Sequence, residues 1–184
     1  HQDCGDINCP ENLVEINEDC YYQSDLDVLQ DIIDLNESVT VEPLEIGQAW
    51  KNGRLTGLVA NEILLENNQI TTLPESIGNL SSLTVLYLYG FQITSLPEEI
   101  GNLSELFYFN IGDNQLTSIP ESIGDLSNLS YLHLAFNQLT SVPESIGKLS
   151  SIGMLLLDEN KLTTLPNTIC NLPADGIIFV EGKS

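Results

Sequence analysis

Positive charge is what this sequence most lacks. Its 184 residues hold five Lys and Arg against 27 Asp and Glu, a formal net charge of −22. So acidic a surface repels phosphate backbones and anionic headgroups, which argues against nucleic-acid partners and membrane-surface attachment. It favours solubility, a cationic partner or a bound divalent cation. No run of eighteen apolar residues is present, so no membrane insertion is expected. Histidine is nearly missing too, with only His1 and His133. His133 could neighbour Asp158, yet no Ser or Cys nucleophile is patterned beside it, and no catalytic residue or enzyme activity is expected.

Cysteine is sparse and unevenly placed: Cys4, Cys9 and Cys20 near the N-terminus, Cys170 near the other end. No CxxC pair occurs, so no metal site is expected at these thiols. The first three lie among turn-forming residues in HQDCGDINCPENLVEINEDCYYQ (1–23). They allow one local bridge and leave one thiol over. The acids and amides of GDINCPENLVEINED could ligate calcium but lack the alternation and Gly of an EF-hand loop, and no other cofactor is expected. His1 at a free N-terminus could chelate copper, but His133 is too distant in the chain to help. The chain starts at His1 without Met, which together with the clustered cysteines leads us to expect a secreted or cell-surface product.

What is abundant is repetition. Four consecutive 23-residue units run LPESIGNLSSLTVLYLYGFQITS (73–95), LPEEIGNLSELFYFNIGDNQLTS (96–118), IPESIGDLSNLSYLHLAFNQLTS (119–141) and VPESIGKLSSIGMLLLDENKLTT (142–164). A fixed period of this size signals a solenoid, in which each unit buries its apolar face only against its neighbours. The pattern LPxxIGxLxxLxxLxLxxNxLTx resembles the leucine-rich repeat family, in particular its 23-residue typical class and the related bacterial repeats. That resemblance implies an α/β solenoid, a horseshoe with a parallel β-sheet on the concave face and short helical turns on the convex face. It also implies a binding module and not an enzyme.

The expected organisation is a Cys-containing N-terminal cap over 1–49, then repeats over 50–184. The repeats comprise a degenerate unit at 50–72, the four full units, and a partial one at 165–184 (LPNTICNLPADGIIFVEGKS). Within the cap, 24–38 (SDLDVLQDIIDLNES) predicts an amphipathic helix N-capped by Ser24, with Leu26, Leu29 and Ile33 as its stripe and Ile32 and Leu35 widening it. Residues 39–49 read as a connector. Trp50 is expected to plug the junction, and Lys51 and Arg54 to pair with the cap's acids, thirteen of which fall in residues 1–50. In the degenerate unit, Ala60, Ile63, Leu65, Asn68 and Ile70 fall on strand and asparagine positions.

Within LxxLxL, alternate residues face inward: Leu83, Leu86 and Leu88, then Leu106, Phe109 and Ile111, then Leu129, Leu132 and Leu134, then Ile152, Leu155 and Leu157. By the family resemblance, Asn68, Asn114, Asn137 and Asn160 form an internal ladder to backbone groups. It is interrupted at Phe91, where a surface contact is a natural guess. Pro74, Pro97, Pro120, Pro143 and Pro166 mark the starts of convex turns. Asn36, Asn79, Asn102 and Asn128 begin glycosylation triplets, although three of these belong to the repeat pattern itself.

The residues left on the concave strands stack into three columns. One is Leu64, Tyr87, Asn110, His133, Leu156, Phe179; the second Glu62, Val85, Tyr108, Tyr131, Met154, Ile177; the third Glu66, Tyr89, Gly112, Ala135, Asp158, Glu181. Tyr87, Tyr89, Tyr108, Tyr131, His133, Met154, Leu156 and Phe179 thereby form a candidate surface for a protein or peptide partner. Cross-strand stacking that merely stiffens the sheet is the competing explanation.

Five strand steps of about 4.8 Å separate the first and last units by roughly 24 Å, whereas a disulfide spans about 4.4–6.8 Å between Cα atoms. Cys170 therefore cannot reach its own cap. It is free, bonded to another chain, or meant for a cysteine beyond Ser184. No C-terminal cap follows the last strand, so head-to-tail assembly into a surface or filament is the alternative function.

Overall fold

The computed structural model describes residues 9–37, 39–61 and 70–180. The repeat period governs the architecture. Strands β1 (Leu13–Ile16) and β2 (Asp19–Tyr22) form a hairpin, followed by helices α1 (Gln23–Leu35) and α2 (Pro43–Ile46). A seven-stranded sheet then runs in chain order through β3 (Gly47–Lys51), β4 (Arg54–Asn61), β5 (Val85–Tyr89), β6 (Tyr108–Asn110), β7 (Tyr131–His133), β8 (Met154–Leu156) and β9 (Ile177–Phe179). The β3–β4 pair is antiparallel and every later pair parallel. Val85, Tyr108, Tyr131, Met154 and Ile177 pair in sequence, one period apart. The horseshoe layout is as the repeats imply, with each chain return made by a short 3-10 turn on the opposite face.

Those turns follow the prolines. Pro74, Pro97, Pro120, Pro143 and Pro166 sit one residue before Glu75–Asn79, Glu98–Asn102, Glu121–Asp125, Glu144–Lys148 and Asn167–Asn171. Each proline contributes a carbonyl that accepts a hydrogen bond from an amide three residues on, such as Ile77 N–H to Pro74 O at 3.1 Å. Successive turns stack so closely that one row must be glycine. A Cβ on Gly78, Gly101, Gly124 or Gly147 would strike the backbone of the following turn at Glu99, Ser122, Ser145 or Thr168. Cys170, exposed and unbridged, occupies the same row in the last turn.

The inward set from Leu83 to Leu157 is buried throughout, joined by Ile77, Ile100, Ile123 and Ile146 from the turns. Asparagines satisfy the backbone inside this core. Asn137 Nδ2 donates to the carbonyls of Ile111 at 3.0 Å and Leu134 at 3.1 Å, and its Oδ1 accepts from Leu116 N–H at 2.9 Å. Asn114 and Asn160 repeat the arrangement, so polar groups that burial would leave unpaired are matched. Asn68 lies outside the described residues. Phe91 replaces an asparagine but makes no surface contact: it is buried in the core, and the ladder gives way locally to apolar packing.

The cap departs from expectation in several places. The helix is Gln23–Leu35 and not 24–38, and Tyr22 precedes it with no side-chain cap. Ser24 is therefore inside the helix, its hydroxyl bonding Asp25 Oδ1 at 3.2 Å. The buried stripe is Leu26, Val28, Leu29 and Ile32, with Leu35 half exposed. Asp25 is the reason for the rotation. Only 1% exposed, it accepts from Arg54 Nη1 at 2.6 Å and from Leu55 N–H at 2.9 Å. The Arg54 guanidinium lies 3.7 Å over the Tyr22 ring. The hairpin turn at Asn17 and Glu18 takes positive φ at both residues, so these polar groups serve the turn.

Cys9 pairs with Cys20, while Cys4 lies outside the described residues. Asn36 is buried and fully engaged: Nδ2 donates to Ile32 O and Thr72 O, and Oδ1 accepts from the amides of Thr71 and Thr72. It clasps the helix end to the last residues of the degenerate unit and is not placed to carry a glycan. Trp50 is half-buried and meets Tyr21 edge to face at 4.8 Å.

Residues 39–49 are more than a connector, since they contain α2 and open into β3. The degenerate unit is also registered differently. Gly57, Val59 and Asn61 pair with Val85, Tyr87 and Tyr89, so the sheet's first parallel strand lies five residues earlier than a strict 23-residue step from the next unit would put it. The expected column heads Glu62, Leu64 and Glu66, with Ile63 and Leu65, lie outside the described residues. A β3–β4 hairpin needs a continuous extended strand from Arg54 onward, and that requirement sets the register.

Candidate functional site: the concave aromatic face

Strands β5 to β8 bring most of the expected residues together. Tyr108 and Tyr131 occupy paired positions on β6 and β7 and stack face to face, centroids 4.4 Å apart and planes 3° from parallel. Tyr87 lies 6.3 Å from Tyr89, and Tyr89 meets His133 edge on at 5.9 Å. His133 is also 6.3 Å from Tyr131. Four tyrosines and a histidine thus form one connected group across three units. Met154 continues the Tyr108–Tyr131 column, and Leu156 and Phe179 continue the His133 column. All are half-buried except Phe179, which is exposed.

The columns are not uniformly exposed. Asn110 is buried, its Oδ1 accepting from Gly112 N–H at 3.0 Å. Gly112 and Ala135 are buried as well, contrary to a fully exposed third column. Gly112 has a steric role: a Cβ there would collide with the His133 ring. The missing side chain lets the imidazole lie back across the sheet and reach Tyr89.

Electrostatics follow from this packing. Burial pushes the His133 pKa below 6.5, with nearby Asp158 acting in the opposite direction. Its Nδ1 is enclosed and has no hydrogen-bond partner, consistent with a neutral ring at pH 7. Burial, followed by the charge and hydroxyl of Tyr108, raises the Tyr131 phenol to about 12. The phenol is therefore a neutral hydrogen-bonding group at any physiological pH.

At the C-terminal side of the face lies a shallow cavity of about 380 Å³ lined by His133, Leu156, Asp158, Glu159 and Phe179. Its lining contains no hydroxyl or thiol that His133 could activate. Among the described residues no group of three His, Cys, Asp or Glu gathers to hold a metal ion.

Sequence reasoning missed Phe107 and Phe136, 56% and 48% exposed, which flank the face at opposite strand ends. Phe107 stands where other units have Thr84, Ser130 or Gly153, a visible departure. Phe136 occupies the turn position held by Gly90, Asp113 and Glu159, all at positive φ. A bulky aromatic at φ 57° is an outlier that the repeat alignment alone could have flagged.

Comparison with known proteins agrees with this architecture. A family model described as a leucine-rich repeat region matches residues 62–134, and a second leucine-rich repeat model matches 128–149. Among curated proteins the sequence has no match. Among solved structures, a leucine-rich repeat protein of Leptospira interrogans is 31% identical with a TM-score of 0.52, over 67% of this chain and 36% of that one. The ectodomain of the Arabidopsis thaliana receptor kinase SOBIR1 shares the fold at 23% identity and a TM-score of 0.69, over 88% of this chain and 93% of that one. The ectodomain of the Arabidopsis receptor kinase GASSHO1/SCHENGEN3, solved in complex with CASPARIAN STRIP INTEGRITY FACTOR 2, is 30% identical with a TM-score of 0.54, over 72% of this chain and 18% of that one. The chain thus spans about a third of the Leptospira protein's length and under a fifth of GASSHO1's. From its repeats, its sheet and these matches, the chain belongs to the leucine-rich repeat family.

Proposed function

We propose that this chain is a non-enzymatic, extracellular recognition module that captures a protein or peptide partner on its concave face. The observation that carries the reading is the connected aromatic group Tyr87, Tyr89, Tyr108, Tyr131 and His133. These side chains are accessible and lie outside the core, which the Leu, Ile and Phe positions fill without them. Tyrosine combines large contact area with a polar end at little conformational cost, which suits it to recognition. The GASSHO1 ectodomain in its complex, and a plant peptide hormone receptor of similar fold solved with its hormone, support the partner class. The Cys9–Cys20 bridge supports an oxidising compartment, secreted or at the cell surface.

The test is selection of peptides from a displayed library against the chain, followed by Tyr87→Ala with Tyr131→Ala. The expected outcome is at least a hundredfold loss of affinity for selected peptides, about 3 kcal/mol, as for central aromatic anchors. If the tyrosines only stiffen the sheet, the double variant loses thermal stability and keeps its peptides.

Self-assembly is a second reading, which the exposure of Ile177, Ile178 and Phe179 on β9 favours. Exposed apolar side chains clustered on one strand invite burial against another copy. Light scattering on the chain alone gives a monomer under the first reading and concentration-dependent growth under the second.

A further inference from the structure

Resting on the recognition reading above, we infer that the cavity between β7 and β9 receives an arginine side chain of the partner. Three successive units build it. His133 comes from one, Leu156, Asp158 and Glu159 from the next, and Phe179 from the last. Its walls are of two kinds. Leu156 and the half-exposed Phe179 offer apolar surface, while Asp158 and Glu159 bring two carboxylates to the same opening.

A purely apolar occupant would strip water from those carboxylates and leave them unpaired, at a cost that outweighs the area it buries. An anion would meet direct repulsion. An alkyl stem ending in a cation satisfies both walls, with its methylenes against Leu156 and its charge at the acids. Arginine fits better than lysine: its planar guanidinium is weakly hydrated, can bond carboxylates two at a time, and lies flat on aromatic rings such as those of Phe179 and His133.

Among the described residues no basic side chain competes for this place. Strands β5 to β9 carry no Lys or Arg. Lys161 reaches back to Gln138, Lys148 faces Asp125 on a convex turn, and Arg54 is engaged by Asp25. The net charge of −22 draws a basic segment towards the face before contact is made.

The experiment uses the whole chain and a displayed random peptide library, selected in parallel on wild type, on Asp158→Asn with Glu159→Gln, and on Tyr87→Ala with Tyr131→Ala. The carboxamide variant keeps shape and changes charge, and circular dichroism confirms that it folds. Wild type is expected to enrich peptides with arginine at one fixed position. The carboxamide variant is expected to lose that preference and to bind the wild-type peptides at least tenfold more weakly. Peptides that depend on Tyr87 and Tyr131 but show no fixed arginine overturn the pocket assignment alone. So does an arginine preference that survives in the carboxamide variant. Failure of every selection to depend on the tyrosines overturns the recognition reading, and the pocket falls with it.

Discussion

At the scale of single residues, two polar groups, one half-buried and one fully buried, set testable behaviour. His133 has a folded-state pKa below 6.5 because burial disfavours its charged form, while Asp158 partly offsets that effect. Above 6.5 the ring is neutral in both folded and unfolded chains, and its contribution to stability is fully present. As pH falls through 6.5 and then through the folded value, the unfolded chain takes up the proton first, and that stability is lost. An NMR titration of the imidazole should give a midpoint below 6.5, and Asp158→Asn should lower it further. A midpoint above 6.5 would contradict the packing described. Asp25 presents the opposite case, a buried carboxylate whose partners are all present. Replacing it with Ala strands the Leu55 amide and leaves the Arg54 charge unpaired. Urea unfolding should show a loss of about 3 kcal/mol. The exposed Lys148–Asp125 pair, 3.8 Å apart, should be worth less than about 1 kcal/mol by the same measurement.

At the scale of elements, the tight stacking of the convex turns predicts a sharp contrast. Gly124→Ala places a methyl group against the Ser145 backbone and should cost about 1–3 kcal/mol in thermal or urea unfolding. Cys170→Ala, at the exposed equivalent position, should be close to neutral. This row also shows where the repeat was legible in the sequence. From Leu73 onward, one period placed the strands, the prolines and the inward leucines, because each unit's environment is set by an identical neighbour. Where neighbours differ, the period carried no information. The strand at Arg54–Asn61 answers to an antiparallel partner, so its register follows the hairpin. Helix α1 starts at Gln23, where Asp25 can turn inward to Arg54, an interaction 29 residues apart that no local pattern contains. The tyrosines were legible as a surface because alternation exposes them. The place of His133 over Gly112 was not, since it depends on which column is hollow. Phe91 likewise looked like an exposed interruption and is core.

At the scale of the whole molecule, the charge of −22 sets the long-range electrostatics. Acids crowded on one solenoid repel one another, and unfolding lets them separate. Raising NaCl from about 0.02 M to 0.5 M shortens the screening length from roughly 20 Å to 4 Å. The melting temperature should therefore rise by several degrees, even as affinity for any basic peptide falls. A melting temperature that drops with salt would mean attractive pairs outweigh repulsion, which two ion pairs among the described residues do not suggest.

The glycine row carries one more consequence, best put in the language of polymer growth. Each glycine at 78, 101, 124 and 147 is a propagating group: it leaves the gap into which the next turn's backbone docks. Cys170 breaks the series as a bulkier monomer would: it carries a side chain in that row, and a turn packed on it at the spacing of the four before would meet that side chain and have to sit farther out.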